Sequence, residues 1–210
     1  MANDHLYTYG VIEQTDVELD IDGVDRAERL YTVDYRTLSA VVSDIDTLEP
    51  DETDENIRAH DEVLQTVMER GDVSAVVPMR FGMVFKSVRP LKNVLRSSRS
   101  VLSKTLRDID GTIELGLKLV AEEDVTLDRE AIREDVSDRL DGVSLEESEN
   151  GLFSDRLVLN CSYLVSRDDR EDFDAAIAEI ESTYGDSLIV QYTGPWAPYN
   201  FVDIEIGVDR

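Results

Sequence analysis

The spacing of apolar positions switches between two periods along the chain, and the switches mark its elements. Residues 5–12, HLYTYGVI, read as a strand. Residues 29–33 and 38–45 are two more, joined by the short 34–37 link of a hairpin. An acidic stretch, EPDETDEN at 49–56, leads into a helical period in which Ile57, His60, Leu64, Val67 and Met68 share one face. Thr53 or Asp54 is placed to cap its start and Gly71 to end it. Two apolar runs, 73–77 and 80–85, are split at Pro78. The spacing then predicts one helix from Ser87, with Pro90 in its first turn. Leu91, Val94, Leu95, Leu102 and Leu106 form its buried face, and Gly111 ends it.

Beyond Gly111 the strict alternation of Ile113, Leu115, Leu117 and Leu119 predicts a half-buried strand. Residues 128–140 carry Ile132, Val136 and Leu140 four apart, the mark of a short, very acidic helix. The segment SLEESENG at 144–151 has no apolar period and is expected to be mobile. A strand at 156–165, a helix at 168–184 with Phe173, Ile177, Ile180 and Tyr184 on one side, and strands at 187–192 and 201–206 complete the chain. Alternating strands and helices with hairpins predict an α+β protein with mainly antiparallel sheets. A boundary near Gly111 divides it into an N-terminal α/β domain, 1–111, and a C-terminal domain, 112–210, whose element order suits a ferredoxin-like sheet.

Charge changes this picture more than hydropathy does. The 210 residues carry 47 acidic and 21 basic side chains, a net charge of −26, with the acidic residues spread along the chain and not gathered in a tail. Only four of the basic residues are lysine. Dispersed Asp and Glu with few lysines match a surface adapted to high salt, and self-repulsion of this size predicts that folding needs molar salt as a screen. Binding to nucleic acid or anionic lipid through bulk charge is disfavoured. No apolar run approaches a membrane span, and the N-terminus lacks the basic and apolar pattern of a signal peptide. The single cysteine, Cys161, has no internal disulfide partner, which fits a reducing cytoplasm.

Catalytic chemistry has little to start from. The two histidines, His5 and His60, are not near Cys161 in sequence, and His60 lies on an apolar helix face where a core role is expected. DETDEN lacks the glycine and terminal glutamate of an EF-hand loop. No phosphate loop, dinucleotide fingerprint or nucleophile elbow occurs. Cys161 sits inside a strand as a small buried residue. No catalytic residue, metal site or cofactor is assigned.

Two stretches stand apart. Pro78-Met79-Arg80-Phe81-Gly82 sets one arginine in an apolar run. A buried charge needs a partner, so Arg80 is expected to pair with a carboxylate and backbone carbonyls, and Arg80→Ala to destabilise the fold. Gly194-Pro195-Trp196-Ala197-Pro198-Tyr199-Asn200-Phe201 holds the only tryptophan and two of the five prolines. Its aromatics, Trp196, Tyr199 and Phe201, either finish the core between the two halves or form an exposed binding patch, with the structural reading favoured.

Together the two stretches resemble the signature of the gas vesicle protein F/L family, in order, separation and position. Ala197 stands where that family often has proline, and the acidity resembles a haloarchaeal member. The resemblance implies two α/β domains, the second modified ferredoxin-like. It also implies a non-enzymatic accessory protein of gas vesicles, a minor vesicle component that is cytoplasmic before assembly. Its implied partners are the hydrophobic shell protein (gas vesicle protein A), which it would keep from aggregating while helping nucleate the vesicle, and other accessory proteins. Nucleic acid, a small-molecule substrate and a cofactor are not expected. Pro78, Arg80, Phe81, Gly82, Gly194, Pro195, Trp196, Pro198, Tyr199 and Phe201 are then structural or partner-binding residues. Strand addition at an open edge, at 113–119 or 201–206, is an available docking mode. A small-anion sensor using Arg80 is the alternative, and a hydrolase with paired carboxylates is a distant third.

Overall fold

The hairpin read from residues 29–45 is the centre of the first sheet. The structure, a computed structural model, describes residues 5–123 and 125–203. β3 (Leu30–Tyr35) and β4 (Leu38–Ile45) pair antiparallel, β2 (Glu18–Leu19) extends the sheet beside β3, and β1 (His5–Glu13) lies on the other side of β4. Two short strands, β5 (Val77–Pro78) and β6 (Val84–Phe85), both pair with β1, giving the order β2-β3-β4-β1-β5 with β6 also on β1. β1 is buried from Leu6 to Ile12 because both of its faces are covered, so it reads as a continuous run instead of an alternating one. Its register shifts between Thr8 and Gly10. Gly10 is needed there: a Cβ would stand 2.8 Å from Val76 Cγ1 and 3.0 Å from Leu64 Cδ2.

α1 (Asp54–Met68) covers one face, packing Val63, Leu64, Val67 and Met68 against Tyr7, Tyr9, Ile12 and Val41. The Thr53 hydroxyl accepts the Asn56 N–H and caps it, while Ile57 lies at the rim and is exposed, unlike the expectation from spacing. α2 (Val88–Ser97) and α3 (Arg99–Asp108) cover the other face through Leu91, Leu95, Leu102 and Leu106. The single helix expected here is broken at Ser98. The Ser97 hydroxyl donates to the Val94 carbonyl, which the Ser98 N–H also uses, a local competition that serine side chains offer the backbone.

The second sheet is built from β7 (Thr112–Ala121), β8 (Glu146–Glu149), β9 (Leu157–Ser166) and β10 (Leu188–Trp196). Their order is β10-β7-β9-β8 and every neighbouring pair is antiparallel. α4 (Arg129–Asp141) follows β7 and α5 (Arg170–Tyr184) follows β9, so the elements run strand–helix–strand–strand–helix–strand. Ile113, Leu115, Leu117 and Leu119 pack with Val136, Leu140, Phe173, Ile177 and Ile180. The mixed α/β architecture with antiparallel sheets is the one expected from sequence.

Four expectations change. The acidic 146–149 stretch is strand β8, held to β9 by backbone pairing that needs no apolar side chain. β7 lies between β10 and β9, so 113–119 is no open edge; among the described residues β8 and β10 are the outer strands. Tyr199–Phe201 is a 3₁₀ turn and not the start of a strand, and 204–206 lie outside the described residues. The chain forms two compact units. Gly111–Trp196 is one, and the stretch from Ala197 onward belongs with the chain up to Asp110. The 112–210 domain boundary is corrected accordingly: Ala197 is buried in the core of the first unit. No described helix is long and apolar enough to cross a membrane.

Candidate functional site

The first motif runs antiparallel along β1 and leaves it briefly. The Met79 N–H donates to the Tyr9 carbonyl and the Thr8 N–H to the Met83 carbonyl, so residues 80–82 bow outward between β5 and β6. Gly82 sits at φ +81, a left-handed turn conformation that favours glycine. This turn aims Phe81 inward and leaves Arg80 exposed. Among the described residues Arg80 makes no ion pair, which overturns the expected buried pairing. The apolar run misled because its two strands, β5 and β6, are each only two residues long.

Phe81 enters an aromatic cluster around His60 on α1. The His60 ring stacks on Tyr9 (centroids 5.5 Å) and meets Tyr7 (5.6 Å), Phe81 (6.1 Å) and Tyr199 (6.4 Å). His60 Nε2 lies 3.1 Å from the Met79 carbonyl, which only accepts, so Nε2–H donates and Nδ1 is left to accept from the Tyr7 hydroxyl at 2.8 Å. The Gly82 N–H donates in turn to Tyr7 Oη at 3.3 Å. Burial pulls the imidazole pKa down to about 4, so His60 is a neutral, fully bonded core residue and not a metal ligand. Tyr9 Oη receives the Val24 N–H and bonds Ser43 Oγ, fixing the other side of the stack. Burial raises the pKa of both tyrosines.

The second motif reaches the same cluster. Gly194, Pro195 and Trp196 end β10. The register against β7 shifts between Thr193 and Trp196, and the Gly194–Pro195 peptide is cis. Gly194 has φ +117 and a Cβ there would lie 2.9 Å from the Glu114 carbonyl oxygen, so only glycine fits. The Trp196 indole is half-buried and donates from Nε1 to Thr193 Oγ1 at 3.3 Å. Pro198 is buried in the first unit, Tyr199 turns its ring toward His60 and donates its hydroxyl to Asp61 Oδ1 at 3.0 Å, and Phe201 is half-buried in the 3₁₀ turn. Burial raises the Asp61 pKa, which the Tyr199 hydroxyl partly offsets.

Phe81 and Tyr199, 118 positions apart, therefore pack on one imidazole, while Pro78 and Gly82 shape the strand and turn that place Phe81. Gly194, Pro195 and Trp196 belong to the second unit. Sequence reading missed Tyr7, Tyr9 and Asp61; the signal was present in the alternation of Tyr7 and Tyr9 on β1 and in the adjacency of Asp61 to His60.

Other candidate chemistry is not assembled. Cys161 is buried, and burial pushes its thiol up to about 12, far from a reactive thiolate. Among the described residues no group of three His, Cys, Asp or Glu side chains is placed to hold a metal ion. A cleft of about 400 Å³ beside β8 is lined by Glu130, Glu134, Glu147 and Glu149 around Arg133, an acidic setting unsuited to an anion, and Arg80 is not part of it.

The family model for gas vesicle synthesis protein GvpL/GvpF matches residues 5–133 and 120–203. The chain is 62% identical to gas vesicle protein F of Haloferax mediterranei over 99% of this chain and 98% of that protein. It is 56% identical to gas vesicle protein F1 of Halobacterium salinarum over 99% of this chain and 97% of that one. The fold matches the crystal structure of GvpF from Microcystis aeruginosa with a TM-score of 0.86 at 19% identity, covering 96% of this chain and all of that one. By the span of the family match and the identity of its haloarchaeal relatives, the chain belongs to the GvpL/GvpF gas vesicle synthesis family, with a role in gas vesicle formation.

Proposed function

We propose that the protein is a non-enzymatic assembly factor that binds the hydrophobic shell protein, gas vesicle protein A, keeps it from aggregating and helps nucleate the vesicle. It would act in the cytoplasm first and then as a minor vesicle component, beside other accessory proteins. Family membership over nearly the whole chain is the observation that carries this reading. The physics supports it: a shell protein that assembles through apolar β-surface is exposed to misassociation, and a partner with net charge −26 repels further copies once bound. Nine of the ten motif residues hold the scaffold in this reading, Phe81 and Tyr199 through the His60 cluster, while Arg80 at the turn tip is free to face a partner.

Docking by strand addition suits β8, an edge strand flanked by exposed Leu145 (62%) and Phe153 (77%). The test is co-expression with the shell protein at molar salt. The shell protein should stay in the soluble fraction and co-purify with this chain, and Phe153→Ser with Leu145→Ser should weaken both effects while leaving circular dichroism unchanged. A shell protein equally insoluble with and without the chain refutes the proposal.

A further inference from the structure

The acidic residues are not evenly spread. Between Val73 and Arg107 the chain has no Asp or Glu, yet it carries Arg80, Lys86, Arg89, Lys92, Arg96, Arg99, Lys104 and Arg107, eight of its 21 basic residues. All eight are exposed. Arg89, Lys92 and Arg96 stand three and four apart and so share one face of α2, turned away from buried Leu91 and Leu95. Lys104 and Arg107 continue the surface on α3, turned away from buried Leu102 and Leu106, and Arg99 is exposed at its first residue. Only Lys104 is in a salt bridge among the described residues, to Asp108 on its own helix. Structural stability does not require this concentration of charge, since exposed unpaired cations add little to it.

We propose that the outer face of α2 and α3 is a docking surface for an acidic segment of another protein. All 47 acidic residues lie outside the 73–107 stretch, so the rest of the surface repels an acidic partner and this face alone attracts one. In molar salt the screening length is about 3 Å, so only direct contacts survive. Four of the cations on these helices are arginines, whose forked guanidinium holds a carboxylate at contact range better than an ammonium does. Val88 and Val101, 41% and 51% exposed, add apolar contact within the basic field. A short acidic segment fits two helices of about 15 Å each; a long polyanion would run on into the acidic remainder of the protein. This face is separate from the apolar edge offered for the shell protein, so the two readings fail independently.

The probe is a fluorescein-labelled amphipathic helix of about 18 Glu and Leu residues, measured by anisotropy against the full chain in about 2 M KCl. Lys92→Glu with Arg96→Glu should weaken binding by about tenfold or more, and a Lys/Leu version of the peptide should prefer that variant over the parent. Arg99→Glu with Arg107→Glu on α3 gives a second, independent variant, and circular dichroism checks that both are folded. Shell-protein solubility should be unchanged in either. Equal binding to parent and variants overturns the proposal. So does tighter binding of single-stranded DNA or phosphatidylglycerol vesicles to the same face, or sedimentation showing that the charge reversals abolish self-association, which would make a second copy the occupant.

Discussion

His60 should make this protein's stability depend on pH in a way that one substitution removes. Its imidazole is buried, bonded on both nitrogens and held neutral, with a pKa lowered from 6.5 to about 4. The unfolded chain takes up a proton near pH 6.5 that the folded chain refuses until pH 4. Stability from this group is therefore complete above pH ~6.5, falls as the pH drops, and stops falling near pH 4. At about 1.4 kcal/mol per pH unit the full loss is about 3 kcal/mol, of which about 2 kcal/mol falls between pH 6.5 and 5, before most carboxylates titrate. His60→Gln removes the titration and keeps an acceptor and a donor for Tyr7 and Met79. It should cost about 1–2 kcal/mol near neutral pH through lost ring packing. Urea denaturation of both proteins at fixed high salt, across this pH range, reads the difference. Asp61 titrates in both and cancels. The parent should lose about 2 kcal/mol more than His60→Gln over that window; parallel curves would show that His60 is not held neutral by burial and that the bonding assigned here is wrong.

The remaining predictions use the same denaturation assay unless stated. Arg80→Ala should change stability by less than about 0.5 kcal/mol, since the side chain is exposed; a loss of several kcal/mol would restore a buried pairing. Tyr199→Phe should cost about 1–2 kcal/mol and raise the Asp61 pKa further, read by NMR titration, because the hydroxyl that offsets its burial is gone. Gly10→Ala should cost about 1–3 kcal/mol by forcing a Cβ against Val76 and Leu64. Dilution from molar salt to dilute buffer should abolish the native circular dichroism, because 47 acidic against 21 basic side chains repel without a screen; an unchanged spectrum removes the salt requirement.

Elements with a strong side-chain period were legible from the sequence. α1, α4, α5 and the central strands β4, β7 and β9 follow from apolar spacing, because their buried faces decide where they sit. What escaped was decided by the backbone. β8 carries no apolar side chain and exists through pairing to β9. At the break between α2 and α3 the Ser97 hydroxyl and the Ser98 N–H share the Val94 carbonyl. The extent of the second unit was misread because Gly194-Pro195-Trp196-Ala197-Pro198 looks like one loop, whereas its first three residues finish a strand and the next enter the other core. At the site, the two motifs were visible as unusual stretches, but their common target was not: nothing in the spacing of 78–82 and 194–201 singles out His60.

That common target changes what the motif residues are for. An arginine set between Met and Phe suggests a ligand site, but the turn that exposes Arg80 is the same turn that packs half-buried Phe81 on Tyr7 and points the Gly82 N–H at the Tyr7 hydroxyl. The motif's geometry is thus spent on the inward residue, and the outward arginine comes with it. It lies at the start of the acid-free stretch that continues through α2 and α3. One tight turn therefore completes a neutral, aromatic core around His60 and opens the only long segment of this chain in which a carboxylate would meet no competing acid.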